Sequence, residues 1–222
     1  MAVYQIYPRR KGNFFKNFSV NTNLIFLNVA CFIVFTILLL LNVLSIDSIA
    51  IRPSNILQGK YVWTFLTSMF MHGGFFHLFV NMMSLFFIGS LLERILGAKR
   101  YLYFYLASGL FAGVFFVLAS LFFTSDFNTY AVGASGALFG LVGLLMLMTP
   151  DLPVYVMFIP IPIKMKYAAP GLLLVLWLIS VTANVGIGNT AHLGGLIFGL
   201  VYGLYLRKKF PNKIKFISRQ FR

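Results

Sequence analysis

Charge is scarce in this chain of 222 residues: 10% of positions are Asp, Glu, Lys or Arg, while 60% are hydrophobic. An ordinary soluble domain is about half apolar and about a quarter charged. A soluble fold of this length has too little interior to hide so much apolar surface, so the composition calls for lipid as the solvent. Acid is scarcest of all. The four carboxylates, Asp47, Glu93, Asp126 and Asp151, fall in predicted loops or at helix ends, which excludes a pair of aspartates working inside the bilayer. The single cysteine, Cys31, excludes an intramolecular disulfide and a multi-thiolate metal site. Three histidines without a His-Glu-x-x-His pattern or a neighbouring carboxylate make a poor zinc set. No metal and no other cofactor is expected. Internal repeats and low-complexity tracts are lacking too. No cleavable signal peptide is read, because Arg9, Arg10, Lys11 and Lys16 precede an apolar run long enough to span.

What is present in excess is apolar runs and basic residues. The formal charge of +14 does not point to nucleic acid, because the basic residues lie between apolar runs rather than in one patch. A span needs about 20 mostly apolar residues. Segments 23–46, 77–92, 101–123, 135–149, 170–185 and 191–206 fit or approach that need, predicting an all-α membrane protein of six transmembrane helices. With the N-terminus in the cytoplasm, segments 1–22, 93–100, 150–169 and 207–222 lie inside and hold 16 of the 18 Lys and Arg residues. Only Arg52 and Lys60 fall outside, as the positive-inside rule requires. The chain therefore divides into a basic cytoplasmic segment 1–22, a six-helix membrane domain 23–206 and a basic cytoplasmic tail 207–222 suited to anionic headgroups. The outer loop 47–76 is half apolar, with Tyr61, Trp63, Phe65, Met69, Phe70 and Met71, and is expected to lie in or dip into the membrane interface. The short termini lead to the expectation of a prokaryotic plasma membrane.

Polar side chains inside spans are informative because they are costly there. Counting from the cytoplasmic end of each span at ~1.5 Å per residue puts Ser135 ~21 Å up, His192 ~22 Å, His77 ~24 Å and Asn81 ~18 Å. In a hydrocarbon core ~30 Å thick, these four groups from three helices share one level. His77 and Asn81, at i and i+4, share a helix face. Gly133-Ala134-Ser135-Gly136 sets a serine between glycines where a loop becomes a helix, near free backbone N–H groups that can stabilise an oxyanion. Read alone, Ser135 is better explained as a helix N-cap. The glycines add a second line. Gly195, Gly199 and Gly203 form a stripe with His192, while Gly136, Gly140 and Gly143 form another, and such faces let membrane helices pack closely. If the stripes meet, Ser135 and His192 come together. A serine next to a neutral imidazole is an activated nucleophile, and with no acid at this depth the arrangement would be a Ser–His dyad without a carboxylate. His77, Asn81 and the Ser135 backbone N–H are the candidate oxyanion donors.

Taken together, Trp63, His72, His77-x-x-x-Asn81, Gly133-Ala134-Ser135-Gly136 and Ala191-His192-Leu193-Gly194-Gly195 with Gly199 resemble the rhomboid intramembrane serine proteases over roughly residues 60–205. The resemblance implies a six-helix rhomboid-like bundle whose site opens to the outer side. It implies Ser135 as nucleophile, His192 as general base, and His77 and Asn81 as oxyanion-hole donors. It further implies a membrane-embedded hairpin in loop 47–76 and a fifth helix acting as a lateral gate. The substrates would be transmembrane segments of membrane proteins, cut near the outer face. Glu93-Arg94 matches a charged pair common at the end of the second helix, whereas Thr64 after Trp63 departs from the usual Trp-Arg and bears on how the outer loop is fastened. The alternative is a non-catalytic relative that binds or remodels around client helices. A transporter is disfavoured, since paired halves and ionisable groups near the midplane are lacking.

Overall fold

A computed structural model describes residues 18–156, 160–183 and 188–221; the basic residues Arg9, Arg10, Lys11, Lys16 and Arg222 lie outside them. The described residues are mostly helical. The longer helices are α1 (Val20–Leu40), α2 (Phe75–Leu96), α3 (Ala98–Ala119), α4 (Ser135–Met148), α5 (Met165–Thr182), α6 (Asn189–Lys209) and α7 (Pro211–Arg219). A small antiparallel hairpin, β1 (Pro153–Val154) with β2 (Ile163–Lys164), joins α4 to α5. Among the described residues four helices, α1, α2, α3 and α5, are long and apolar enough to cross a membrane. At 14 residues α4 is apolar but short, about 21 Å against a core of about 30 Å. The end of the expected span 170–185 lies outside the described residues.

Burial runs opposite to that of a soluble protein. Phe26, Leu27, Ile33, Val34, Ile37 and Leu40 point outward from α1, while its buried residues include Asn21 and Asn28. α4 is apolar on all sides and buried from Ala137 to Leu145, which makes it the central helix of the bundle. On α3, Tyr101, Tyr105, Ser108, Ala112 and Phe116 form the inward stripe at helical spacing.

Two sets of glycines position the rest. α4 and α6 touch backbone to backbone: a Cβ on Gly195 would collide with the carbonyl oxygen of Gly136, and one on Gly199 with that of Gly140. The two stripes seen in the sequence do face each other. On α3, Gly109 and Gly113 receive the loop 41–74 instead, with Met69 against the first and Ile51 and Phe65 against the second. This loop is built of short helical turns that bury Ile49, Ala50 and Met69. It is fastened without an arginine after Trp63. The Trp63 indole N–H donates to the Ser48 carbonyl at 2.9 Å, Thr64 Oγ1 to Tyr61 O at 2.7 Å, and Thr67 Oγ1 to Ile49 O at 2.9 Å.

At the opposite end the Glu93 carboxylate accepts the backbone N–H groups of Val20 and Asn21 at 2.8 and 2.9 Å. A carboxylate there satisfies orphan donors of the first turn of α1 and complements its dipole. Asn21 continues the network: its amide donates to Leu85 O at 2.7 Å, where α2 widens into a π-helical turn (Leu85–Gly89), and its oxygen accepts Tyr101 OH at 2.6 Å. The basic tail is helical. α6 runs on through Arg207, Lys208 and Lys209, Pro211 then restarts the chain as α7, and Ile214 docks into the main core.

Candidate active site

Ser135 is the first residue of α4. The turn before it depends on Gly133, whose φ of +115° lies in the region L side chains avoid. The same glycine is also needed for space, since a Cβ there would stand 2.8 Å from His77 Nε2 and 3.7 Å from Ser135 Oγ. His77 and Ser135 thus border one small volume beside Gly133.

The serine hydroxyl does not cap its own helix. Ser135 Oγ lies instead 2.7 Å from His192 Nε2, on the first turn of α6. With the ring proton on Nδ1, the hydroxyl donates to Nε2, the direction that makes the oxygen a nucleophile. His192 is 7% exposed, and its Nδ1 is buried with no hydrogen-bond partner among the described residues. A carboxylate therefore does not orient the ring. Phe139 does part of that work: its ring stacks on the imidazole at 4.6 Å between centroids, with 20° between planes. Phe139 is four residues after Ser135 on α4, so one helix face presents both the hydroxyl and the plate against which its partner lies. Sequence reading passed over this phenylalanine. The i, i+4 spacing to Ser135 was the available signal, but one Phe among 26 carries little weight.

The other predicted residues gather close by. His77, in the first turn of α2, accepts the Gly73 N–H on Nδ1 at 3.3 Å, which leaves Nε2 to carry a proton towards the Gly133–Ser135 side. Asn81 is 3% exposed and sits one turn on, with Nδ2 donating to the His77 carbonyl at 2.8 Å. That bond uses one of the two amide protons and ties Asn81 to the backbone that carries His77. His72 packs edge-on against His77, with ring centroids 5.2 Å apart, and is fully buried. Among the described residues no group of three or more His, Cys, Asp or Glu side chains is placed to hold a metal.

Loop 41–74 holds down the connection 120–134 that leads into Ser135. Ile51 and Ala131 exchange both backbone hydrogen bonds of an antiparallel bridge, and the Gly133 N–H donates to Ser68 O at 2.8 Å. Asp47 is the hub of this contact, accepting Tyr130 OH at 2.8 Å and Asn55 Nδ2 at 2.6 Å, with Arg52 Nη1 at 3.6 Å. Burial acts to raise the Asp47 pKa, but the bonds from Tyr130 and Asn55 and the Arg52 charge outweigh it and leave the carboxyl below its ordinary value.

The model of the Rhomboid domain matches residues 59–209. The chain is 37% identical over 159 residues to RHOMBOID-like protein 1 of Arabidopsis thaliana, covering 69% of this chain and 37% of that protein. It is 35% identical over 162 residues to RHOMBOID-like protein 6, mitochondrial, of the same plant, covering 71% and 48%. It is 31% identical over 168 residues to Rhomboid protein 1, mitochondrial, of Saccharomyces cerevisiae, covering 69% and 45%. The chain belongs to the rhomboid family and is an integral membrane protein. It spans less than half the length of these relatives. Two of them carry mitochondrial names, so they lend no support to the expected prokaryotic plasma membrane.

Proposed function

We propose that this chain is an intramembrane serine endopeptidase that cuts transmembrane segments of membrane proteins with a Ser135–His192 dyad. The observation that carries the reading is the 2.7 Å approach of Ser135 Oγ to His192 Nε2 where the buried α4 and the helix packed against it begin. Ser135 Oγ attacks the scissile carbonyl carbon while its proton passes to His192 Nε2. The tetrahedral oxyanion takes hydrogen bonds from the Ser135 backbone N–H, His77 Nε2 and the second amide proton of Asn81. Collapse breaks the C–N bond, and His192 returns the proton to the leaving amine. Water then repeats the sequence on the acyl-enzyme, with His192 again the base. Stacking on Phe139 keeps the ring aligned, a task that a carboxylate performs in a triad.

The accompanying arrangement is six spans with both termini in the cytoplasm, α4 and α6 joining the four helices that are long and apolar enough to cross. A short α4 fits this arrangement, because its first residue is the nucleophile and must sit below the outer surface where water reaches it from one side. Substrates would be helices that unwind near the outer face, since intact helical hydrogen bonding shields carbonyls and exposed backbone is costly in lipid. The test is a fluorophosphonate probe on the folded full chain. The account expects a single adduct mapping to Ser135 and its loss in His192→Ala. An unlabelled wild type would favour the non-catalytic, helix-binding alternative.

A further inference from the structure

The hydroxyl and the imidazole of the site come from two helices, and below them the α4–α6 glycine contact fixes their spacing. Above them, His192 is only four residues into α6, and Gly188 before it gives that helix no side-chain cap. The neighbour that feeds this turn is α5, whose buried residues, Met165, Ala168 and Ala169, all lie at its far end. The half of α5 that leads back to the site has no buried residue from Gly171 to Ala183.

A side-chain hydrogen bond joins the start of α6 to the opposite wall. Thr190 Oγ1 donates to Asp126 Oδ2 at 2.7 Å, between half-buried groups. Thr190 precedes His192 by two residues, and Asp126 lies in the 120–134 connection nine residues before Ser135. That connection is itself pinned to loop 41–74 by the Ile51–Ala131 bridge and the Gly133–Ser68 bond. The path from nucleophile to base is therefore closed on both sides, by the glycine seam within the bundle and by the Asp126–Thr190 bond at its mouth. The acid also places a negative charge beside the first turn of α6, where the helix dipole favours it.

We infer that Asp126 and Thr190 form a latch that positions His192, holding the first turn of α6 against the Ser135 loop. Neither residue touches the reacting atoms. The latch sets geometry for the dyad, so it rests on the protease reading, and it acts on turnover rather than on substrate binding. A displacement of about 1 Å in such a site can cost up to about 10²-fold in rate.

The experiment compares wild type, Asp126→Asn, Thr190→Val, the double variant and Thr190→Ser as full chains in detergent, with a single-span glycine-containing substrate. Each single variant should lower kcat roughly tenfold or more with KM little changed. The double should fall no further than either single, because both remove the same bond. Thr190→Ser, which keeps the hydroxyl, should retain wild-type kcat. Wild-type kcat in both singles, multiplied losses in the double, or a Thr190→Ser as slow as Thr190→Val would overturn the latch. Hydrogen–deuterium exchange of residues 189–193 gives a readout that needs no turnover, and it should quicken in Asp126→Asn and Thr190→Val. Unchanged exchange would also sink the latch, whereas failure of the wild type to react with a fluorophosphonate would sink the protease reading alone.

Discussion

Replacing Gly195 by alanine tests the α4–α6 contact on which the site depends. The new Cβ would overlap the carbonyl oxygen of Gly136 and stand 3.0 Å from its carbonyl carbon and 3.3 Å from the Gly140 nitrogen. All three are backbone atoms of α4, so no rotamer change relieves the clash. Carbon reaches comfortable contact at about 3.5–4.0 Å, so the helices must part by about 1 Å or more. Gly195 is three residues from His192, and Gly136 is next to Ser135, so the separation is transmitted to the dyad. The 2.7 Å bond would open beyond the range of a hydrogen bond, to roughly 3.7 Å. Overpacking of this kind costs about 1–3 kcal/mol of stability, and the misplacement about 10²-fold in kcat. Turnover of a single-span substrate and thermal unfolding in detergent measure both. Gly171→Ala is the control, since a Cβ there meets nothing within 4 Å and alanine improves a helix interior by about 1 kcal/mol. A Gly195→Ala protein with wild-type kcat and melting temperature would refute the backbone contact and with it the explanation of how the dyad forms.

Removing either proposed oxyanion donor, in His77→Ala or Asn81→Ala, should lower kcat about 10²–10³-fold without abolishing fluorophosphonate labelling of Ser135. Steady-state kinetics beside probe labelling would check this. Phe139→Leu keeps an apolar plug but removes the ring that stacks on His192, so kcat should fall while KM holds, as measured on the same substrate. Asp47 gives the pH dependence. Its pKa is lower in the folded protein than in the unfolded chain, so its contribution is full above the unfolded value of about 3.9 and fades as pH drops through the folded value. The wild-type melting temperature should therefore decline below about pH 4 by more than that of Asp47→Asn, and parallel curves would remove Asp47 as the hub.

The residues most legible in the sequence were those that lipid makes expensive or that packing makes small. Ser135, His192, His77 and Asn81 stood out because polar groups at span depth are rare, and the glycine stripes because a spacing of three or four puts residues on one helix face. Less legible was anything whose signal is ordinary. Phe139 is one aromatic among many, and Asp126 and Thr190 are common loop and helix-start residues until the fold brings them to 2.7 Å. Glu93 read as one half of a charged pair, but its carboxylate serves the first turn of α1, a partner 72 and 73 residues away. The π-helical turn at Leu85–Gly89 has no counterpart in a hydropathy pattern, and it is Asn21, not a hydrophobic residue, that settles into it. Helix ends also moved where capping rather than hydropathy decides: α1 begins at Val20, behind Ser19, whose Oγ accepts the Thr22 N–H. The basic tail folds back as α7 because Ile214 and Ile217, three apart, find the core.

The central claim is that Ser135 and His192 break peptide bonds within the membrane, and one reconstitution tests it most directly. Wild type and Ser135→Ala would be placed in liposomes with a single-span substrate carrying glycine in the outer half of its helix, and the products located by mass spectrometry. The account predicts cleavage by wild type alone, near the outer end of the substrate helix. Cleavage by Ser135→Ala at the wild-type rate, or a cut in the cytoplasmic half, would contradict it.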